Sequence, residues 1–349
     1  MNESNPDRYL ITGGYGFIGS SLSRILLKSG HYLCNIDKLT YSSNLNAIED
    51  LDKSEKYIFH KIDICDDKKL FSLIENFKPN KIVHLAAETH VDRSIDKPSD
   101  FIKTNVYGTY NLLNAAYKYW NSLDIKEKNM FKFCLVSTDE VYGSLASKEK
   151  AFDEESPYKP NSPYSASKAA ADHLGRAWFK TYNLPVIITN TSNNFGPWQF
   201  PEKLIPLTIL KCISNQKIPI YGSGEQVRDW IFVDDHSRGI ISAIKYGDIG
   251  EKYNISSENE LQNITVVKNI CLILDRIFPR KNGNYDQLIE FVEDRPGHDQ
   301  RYALNNDKIK KLNWQPQTNW LEGLETTIRW YLDHQDFLKN YSGERLGRS

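Results

Sequence analysis

Three glycines, each separated from the next by two residues, restrict the possible folds of this chain more than any other feature. An apolar run, Tyr9–Thr12, precedes Gly13, Gly16 and Gly19, and an apolar helical pattern follows them. Glycine permits a tight turn and a close approach of the backbone to a pyrophosphate, whose charge then lies against N–H groups at the helix start. Strand, glycines and helix together predict a dinucleotide-binding site.

Short β-branched runs alternate with helical patterns through the first half of the chain. This alternation is typical of an α/β protein with a Rossmann-type, doubly wound parallel sheet. The predicted strands are Tyr9–Thr12, Tyr32–Ile36, Tyr57–Ile62, Lys81–Leu85, Phe131–Ser137 and Val186–Thr189. The predicted helices are Phe17–Lys28, Lys68–Phe77, Phe101–Trp120 and one from near Tyr164 to about Asn183.

Beyond about residue 190, glycine, proline and aromatic residues cluster and the helical patterns shorten. We therefore predict an NAD-binding domain over residues 1–190 and a smaller α/β substrate-binding lobe over residues 191–349. A segment near 233–256 is expected to return to the first domain. Within the lobe, the patterns predict helices at Thr265–Phe278 and Leu321–Tyr331 and a strand at Leu288–Val292.

Composition excludes several classes of protein. The 349 residues carry a net charge of −1, with 40% hydrophobic and 26% charged residues, so a nucleic-acid-binding surface is not expected. No apolar run is long enough to span a membrane, and the N-terminus lacks a signal-peptide pattern, which predicts a cytoplasmic protein. Five scattered cysteines and unspaced histidines predict reduced thiols and no metal site.

Several residues at the ends of predicted strands have the positions expected for cofactor contacts. Asp37 ends the second strand, where a carboxylate accepts the ribose hydroxyls and favours NAD over NADP, although Lys38 weakens that preference. The alternative for Asp37 is a strand-terminal turn residue. The remaining candidates are Asp63 and Ile64, near the adenine, and the small-residue strand end Leu85, Ala86 and Ala87.

Tyr164 and Lys168 are four residues apart on a predicted helix, so their side chains share a face. A free tyrosine has a pKa near ~10, and a tyrosine that acts as a base near neutrality needs a pKa roughly three units lower. A Lys168 cation and the positive nicotinamide ring are expected to lower it together. The alternative is that the two residues form a chance pair on a helix surface, because a tyrosine and a lysine at this spacing are common without any further motif.

Thr138, Asp139 and Glu140 follow the predicted strand that ends at Ser137. Carboxyl ends of strands meet ligands in such sheets, so the Thr138 hydroxyl is expected to hold the reacting oxygen beside Tyr164. Hydride transfer alone requires neither acid, whereas an elimination needs both a base and an acid. The alternative is that both acids form a solvated turn.

With these residues assembled, the chain resembles the extended short-chain dehydrogenase/reductase superfamily, and within it the dTDP-glucose 4,6-dehydratases of dTDP-rhamnose biosynthesis. The resemblance extends from Tyr9 to about Leu332. Its matching stretches are Thr12–Ser20, Asp37–Tyr41, Leu85–Ser94, Ser137–Gly143, Tyr164–Lys168, Ser192–Asn194, Pro201–Pro206, Arg228–Trp230 and Asp294–Asp299.

The resemblance implies a reaction in three steps with bound NAD. Tyr164 takes the proton of the glucose C4 hydroxyl while a hydride leaves C4. Glu140 then removes the C5 proton, and Asp139 protonates the C6 hydroxyl as it leaves as water. The hydride returns to C6 and a proton to C5, which gives dTDP-4-dehydro-6-deoxyglucose.

The resemblance also implies binding residues and an oligomeric state. The implied NAD contacts are Phe17, Ile18, Asp37, Lys38, Leu39, Thr40, Asp63, Ile64, Thr104 and Asn194. The implied contacts to dTDP-glucose are Thr89, Asn193, Lys203, Leu204, Pro219, Tyr221, Arg228, Asn263, Arg295 and His298. A homodimer is implied through the helices at Phe101–Trp120 and Tyr164, where Tyr117, Tyr119, Trp120 and Trp178 lie either in that interface or in the core.

Elementary chemistry supports part of this set. The guanidinium groups of Arg228 and Arg295 suit a diphosphate, although an arginine in a surface ion pair is more common. Tyr221 is suited to stacking on a base or to packing. Departures from the family pattern are Thr89 for serine, Phe195 and Trp198 for tyrosines, and Ser42–Asn44 for Ala-Gly-Asn.

Four alternatives remain open from the sequence. The first is a UDP-glucose 4-epimerase, which is expected to lack both acids. The second is a GDP-mannose 4,6-dehydratase, which is expected to carry serine at position 139. The third is a decarboxylating relative. The fourth, a silent NAD-sensing module, predicts loss of Tyr164 or Lys168, and both are present.

Overall fold

The computed structural model describes residues 6–294 and 298–339. Its strands are β1 (Arg8–Thr12), β2 (Tyr32–Asp37), β3 (Tyr57–Lys61), β4 (Lys81–His84), β5 (Lys132–Thr138), β6 (Val186–Thr191), β7 (Asn193–Phe195), β8 (Ile218–Tyr221), β9 (Val227–Phe232), β10 (Lys252–Ile255), β11 (Glu260–Gln262) and β12 (Ile289–Val292). Its helices are α1 (Phe17–Lys28), α2 (Asp67–Phe77), α3 (Val91–Asp96), α4 (Pro98–Phe101), α5 (Thr109–Ser122), α6 (Ile125–Met130), α7 (Pro163–Tyr182), α8 (Leu204–Ile213), α9 (Val233–Tyr246), α10 (Asn263–Ile277), α11 (Asp307–Lys310), α12 (Trp320–Asp333) and α13 (Gln335–Lys339).

A seven-stranded sheet in the order β10-β6-β5-β4-β1-β2-β3 forms the centre of the molecule, and every neighbouring pair is parallel. All six strands predicted for the first half of the chain lie in it. The order reverses between β1 and β4, and ligands bind at the carboxyl edge of such a reversal. The predicted doubly wound α/β fold is confirmed.

Helices cover both faces of this sheet because each face of its strands is apolar. On one face, Leu70 of α2, Leu112 of α5 and Ala171 of α7 share a buried cluster. On the other, Leu22 of α1 and Ile240 of α9 share a second cluster. Because both faces of these parallel strands are buried, the polar side chains of the sheet lie mainly at the strand ends.

After β6 the chain leaves the sheet and later returns to it. Strands β7, β9 and β11 form a small sheet, β8 pairs with β12, and α8, α10 and α12 pack over them around a separate buried cluster. Helix α9 then packs against α1, and β10 pairs with β6, with Ile255 opposite Thr191. The domain boundaries expected from the sequence stay a prediction.

Two long helices flank the site. Helix α4, a π-helical segment (Ile102–Gly108) and α5 follow one another without a break. Helix α7 begins at Pro163 because Ser162 caps it: the Ser162 hydroxyl accepts from the Ser165 N–H at 3.1 Å. This cap fixes the register of Tyr164 in the first turn. In residues 6–294 and 298–339, no helix is both long and apolar enough to cross a membrane.

All five cysteines are free thiols, as the sequence predicts, and all except Cys65 are buried. His84 is buried on β4, where its two ring nitrogens lie 2.7 Å from Thr12 Oγ1 and 2.9 Å from Thr109 Oγ1. Burial lowers the pKa of His84 to about 3, so this histidine is a neutral structural group.

Candidate active site

The glycine-rich turn after β1 leaves room for a phosphate group. Gly13 has a φ of +72°, and its carbonyl accepts from the Gly16 N–H at 3.1 Å. A Cβ atom on Gly19 would lie 2.2 Å from the Gly13 oxygen. Helix α1 starts directly after this turn without a side-chain cap, and its first residues, Phe17 and Ile18, line a cleft. Turn and helix start therefore fit a pyrophosphate.

Asp37, at the end of β2, is a buried carboxyl fixed by three donors. Its Oδ1 accepts from the Leu39 N–H at 2.8 Å and the Ser43 hydroxyl at 2.9 Å, and its Oδ2 accepts from the Tyr15 N–H at 3.2 Å. Burial raises the pKa of Asp37, while these hydrogen bonds lower it. Ser43 is one of the departures from the family pattern, and its hydroxyl contacts Asp37, the carboxyl that is expected to bind the ribose.

Lys38 is paired within the protein. Its ammonium lies 3.1 Å from Glu88 Oε1 and 3.2 Å from Thr104 Oγ1. A cation already neutralised by a carboxylate attracts a 2′-phosphate less than an unpaired one does. The ion pair with Glu88 therefore limits the effect that Lys38 was expected to have on the preference for NAD.

Tyr164 and Lys168 lie one turn apart on α7, and both are buried. Burial first, and then the charge of Glu140, raise the pKa of Tyr164, while a side-chain hydrogen bond with Thr138 lowers it. The Lys168 ammonium donates to the Val136 carbonyl at 2.8 Å, and burial lowers its pKa. The protein's own groups thus raise the pKa of Tyr164 overall, so a phenolate requires additional positive charge from the nicotinamide ring.

Thr138 ends β5, and its hydroxyl donates to Asp139 Oδ1 at 3.1 Å. Asp139 is only 3% exposed. Burial raises the pKa of Asp139 well above its usual value, and the nearby charges of Glu140 and Asp229 raise it further. These effects favour the protonated form of Asp139, which is the form that a general acid needs.

Glu140 has a different environment from its neighbour in the chain. It is half-buried, and its N–H donates to Thr138 Oγ1 at 3.3 Å. Glu140, Asp139 and Tyr164 line one cleft. A buried acid with a raised pKa and a more exposed second carboxyl beside one tyrosine are the combination that an elimination requires.

This cleft has a volume of about 290 Å³ and brings together most of the predicted site residues. Those that line it are Gly13, Gly16, Phe17, Ile18, Gly19, Asp37, Lys38, Thr40, Ile64, Leu85, Ala86, Ala87, Thr89, Thr104, Thr138, Asp139, Glu140, Tyr164, Lys168, Asn193, Asn194 and Lys203. The predicted residues outside its lining are Leu39, Asp63, Leu204, Pro219, Tyr221, Arg228, Asn263 and His298. Arg295 lies outside the described residues.

One residue of this second set, Arg228, interacts by charge with Asp139. The buried Arg228 guanidinium donates to the Asp299 carbonyl at 3.0 Å and lies 4.3 Å from the centre of the Tyr302 ring. The positive charge of Arg228 lowers the pKa of Asp139. Tyr221 packs edge-on to His298, with 6.4 Å between ring centres.

Asp172 is a member of the site that the sequence reasoning missed. It is buried one turn after Lys168, and its Oδ2 accepts from Ser137 Oγ at 2.9 Å, Tyr158 Oη at 2.8 Å and Asn190 Nδ2 at 3.2 Å. The Asn190 amide also donates to the Thr138 carbonyl at 3.1 Å. The spacing of four residues between Lys168 and Asp172 was the feature of the sequence that could have identified Asp172. Asp172 thus links α7 to the ends of β5 and β6.

Within the described residues, no group of three or more His, Cys, Asp or Glu side chains is arranged to hold a metal ion. Cleft residues that the sequence reasoning missed include Ser42, Ser43, Glu88, Gln199, Phe200 and Glu202. Gln199, Phe200 and Glu202 follow β7 in an irregular segment, where no periodicity marks them.

Comparison with known proteins adds independent observations. A family model described as GDP-mannose 4,6 dehydratase matches residues 10–327. A probable dTDP-glucose 4,6-dehydratase of Sinorhizobium fredii is 49% identical over 346 residues, covering 97% of this chain and 98% of the relative.

Two solved structures are similar over nearly the whole chain. DesIV, a dTDP-glucose 4,6-dehydratase from Streptomyces venezuelae with NAD and TYD bound, is 39% identical with a TM-score of 0.86, covering 95% of this chain and 98% of that one. A dTDP-glucose 4,6-dehydratase from Bacillus anthracis in complex with NAD is 41% identical with a TM-score of 0.84, covering 96% and 99%.

Proposed function

We propose a function from the premise that this chain belongs to the GDP-mannose 4,6 dehydratase family, whose model spans residues 10–327. The chain is an NAD-dependent hydro-lyase that converts dTDP-glucose to dTDP-4-dehydro-6-deoxyglucose and water. The observation in the structure that carries this conclusion is Asp139, a buried carboxyl beside Tyr164 whose pKa is raised by that burial. A hydride transfer without elimination has no use for such an acid.

The first step is oxidation at C4 of the sugar, for which bound NAD accepts a hydride that it later returns to C6. We assign Tyr164 as the base that takes the C4 hydroxyl proton, and Thr138 as the hydroxyl that holds the same oxygen. Both side chains line the cleft next to the glycine-rich turn. Lys168 contributes its charge from the next turn of α7.

The second step is loss of water across C5 and C6. A ketone at C4 acidifies the C5 proton, which we assign to Glu140 because this carboxyl is the more exposed of the two. We assign Asp139 as the donor to the departing C6 hydroxyl, because burial raises its pKa and so favours its protonated form. The different environments of these adjacent residues support opposite roles in proton transfer.

Substrate binding is proposed for the second lobe. Arg228 is suited to the diphosphate, since its guanidinium is buried close to the catalytic acids. Tyr221 and His298 form an aromatic pair suited to the nucleobase. The product then feeds deoxysugar synthesis, for which dTDP-rhamnose is our proposal.

We also propose a cytoplasmic homodimer. Five free cysteines, four of them buried, suit a reducing compartment. An aromatic patch, defined as Tyr107, Tyr110, Tyr117, Trp178 and Tyr182, runs across α5, α7 and the π-helical segment. Tyr107, Tyr110 and Tyr182 in this patch are 50%, 40% and 42% exposed. Exposed aromatic surface of this kind is typical of protein interfaces.

The function is tested by incubating the purified protein separately with dTDP-, UDP- and GDP-hexoses and analysing the products by mass spectrometry. We expect dTDP-glucose to lose one water per turnover without added reductant. Recovery of a C4 epimer of unchanged mass would show an epimerase instead. Turnover of a GDP-hexose in preference to dTDP-glucose would contradict the assigned substrate.

A further inference from the structure

Glu202, in the segment between β7 and α8, is buried against residues from the first half of the chain. Its side chain is only 2% exposed. Glu202 Oε1 accepts from the Tyr41 hydroxyl at 3.4 Å. Glu202 Oε2 lies 3.7 Å from Arg93 Nε and 3.6 Å from His90 Nε2. One carboxyl of the second lobe is thus joined to two separate segments that precede α4.

The partners of Glu202 are themselves fixed by further contacts. The Arg93 guanidinium carbon lies 3.6 Å from the centre of the Tyr41 ring, which is a cation–π contact. His90 Nδ1 accepts from the Arg93 N–H at 3.3 Å, so a neutral ring carries its proton on Nε2, the nitrogen nearer to Glu202. Tyr41 also packs edge-on to Phe200, with 5.4 Å between ring centres. Tyr41 and Arg93 are therefore held against the segment that carries Glu202.

These contacts lie at the wall of the cleft that contains the proposed active site. Glu202 itself lines the cleft, and so do Thr40 and Thr89, each of which directly precedes a partner of Glu202 in the chain. The Lys203 ammonium donates to the Thr89 carbonyl at 3.1 Å, which is a second contact between the same segments. Thr40 belongs to the turn that follows Asp37, the carboxyl expected to bind the ribose. The contacts therefore join cleft-lining segments of both lobes close to that carboxyl.

The charges and distances around Glu202 are those of a contact that can open. Burial raises the pKa of Glu202, while the charges of Lys203 and Arg93 lower it. Glu202 Oε2 accepts no hydrogen bond within the part of the chain that the structure describes, and its distances to Arg93 and His90 are longer than hydrogen bonds. Longer electrostatic contacts of this kind separate at a moderate cost in free energy.

We propose that Glu202, Tyr41 and Arg93 form a clasp that holds the cleft closed over bound NAD and slows the release of NAD. In the proposed reaction, on which this inference rests, the hydride returns to the sugar within the same turnover, so NAD does not need to leave. Release requires the segment of Glu202 to move away from Tyr41 and Arg93, and their contacts oppose that movement. The role of the clasp is positioning, since its residues take no proton or hydride.

The test measures the release of NAD, which does not depend on turnover of the sugar. NAD-loaded protein is diluted into excess ethanol and alcohol dehydrogenase, which reduce each released NAD, and nicotinamide absorbance follows the release. In Glu202→Gln, which removes the charge but keeps the size of the side chain, we expect release to be about 10-fold faster. Arg93→Gln should act in the same direction. Tyr41→Phe, which removes only the hydroxyl, should have a smaller effect.

Glu49→Gln is the matched control, because it changes an exposed carboxyl that follows the turn Leu45–Ile48. This variant should release NAD at the normal rate. In the double variant Tyr41→Phe/Glu202→Gln, release should be much less than the product of the two single effects, because both changes break the same contact. Tyr41→Phe and the double variant thus test whether the two residues act together.

Denaturant unfolding of the NAD-loaded proteins separates the clasp from a purely structural role. If Glu202→Gln lowers the unfolding midpoint but releases NAD at the normal rate, the contact only joins the lobes and the clasp is wrong. Equal acceleration of release in Glu49→Gln would contradict it as well. Failure of the unsubstituted protein to release water from dTDP-glucose would instead overturn the proposed function.

Discussion

Asp139 and Glu140 are neighbours in the chain with opposite surroundings. Asp139 faces the buried end of β5, where burial and the charges of Glu140 and Asp229 raise its pKa. Glu140 follows Asp139 in the same 3₁₀ turn and is half-buried. Adjacent residues of the chain therefore differ, since burial raises the pKa of Asp139 whereas the Glu140 carboxyl is more accessible to solvent.

Replacement of Asp139 separates oxidation from elimination. In Asp139→Asn the amide oxygen can still accept the Thr138 hydroxyl, but the side chain has no acidic proton to donate. We expect reduced nicotinamide to accumulate after addition of dTDP-glucose, while water loss slows by about 10²-fold or more. Nicotinamide absorbance and product mass measure the two steps.

The matched control is Asp153→Asn, which changes an exposed acid of a loop to its amide. This variant should keep both steps at their normal rates. If Asp139→Asn prevented reduction of the nicotinamide altogether, the role assigned to Asp139 would be wrong.

Asp229 is a buried carboxyl that makes stability depend on pH. Burial raises its pKa to about 7, against the lowering effect of the Asn259 N–H, which donates to Oδ1 at 3.1 Å. The pKa of Asp229 is higher in the folded state than in the unfolded state, so between about pH 4 and pH 7 the folded state holds a proton on Asp229 that the unfolded state has lost. Its contribution to stability is therefore present at low pH and lost as the pH rises through about 7.

Asp229→Asn should remove this dependence because the amide stays neutral and keeps the acceptor for Asn259. Near pH 4 the variant and the unsubstituted protein should unfold alike. Above about pH 7 the variant should be more stable, by up to about 4 kcal/mol at 1.36 kcal/mol per pKa unit. Denaturant unfolding across this range measures the difference, and a difference independent of pH would contradict the assignment.

Residue identities could be predicted from the sequence, but protonation states could not. Thr138, Asp139, Glu140, Tyr164 and Lys168 follow from motif order alone. Burial raises the pKa of Asp139, and two residues about ninety positions further along the chain act on it by charge, since Asp229 raises this pKa and Arg228 lowers it. Their roles in the reaction stay predictions.

At the scale of elements, α7 is the scaffold of the reaction. Tyr164, Lys168 and Asp172 follow at intervals of four residues, so one face of this helix carries the proposed base, a cation and a counter-charge. Burial lowers the pKa of Lys168, while the charge of Asp172 raises it. Asp172 therefore helps Lys168 to remain a cation.

Asp172→Asn should shift the pH dependence of activity. Without the negative charge the pKa of Lys168 falls further, so the loss of kcat/KM with rising pH should begin at a lower pH than in the unsubstituted protein. The pH profile of kcat/KM measures this shift. Tyr158→Phe is the control because it removes one donor to Asp172 Oδ2 but leaves the charge. Equal shifts in both variants would indicate a packing effect instead.

Long, strongly periodic elements were predictable, whereas short ones were not. Helix α1 begins and ends at the predicted residues, Phe17 and Lys28. Strands β7 and β11 have three residues each, too few to show alternation, and they exist because they pair with β9. Tertiary pairing rather than local pattern decides such elements.

On the scale of the whole molecule, the aromatic patch connects two long helices. Tyr110 of α5 packs edge-on to Trp178 of α7, with 5.8 Å between ring centres, and Trp178 in turn contacts Tyr182 at 5.5 Å. Tyr119, one of the four aromatics that the sequence left open between interface and core, is 7% exposed and packs on Phe131 in the core.

Tyr110→Glu should weaken the proposed dimer because a charge in this patch opposes burial against a second copy. Sedimentation velocity over a range of concentrations should show a shift from dimer toward monomer. Tyr246→Glu is the matched control: Tyr246 is 50% exposed but ends α9, on the other face of the sheet. A monomeric unsubstituted protein, or equal effects of both variants, would contradict the proposed interface.

The return of the chain to the sheet has a consequence for synthesis on the ribosome. Strand β6 emerges long before β10, its outer neighbour, because residues 192–251 are translated between them. The nascent chain therefore exposes an unpaired strand edge, which is a template for mispairing, while the second lobe is still being made. Cells that produce this protein quickly should for this reason depend on chaperones that shield such an edge.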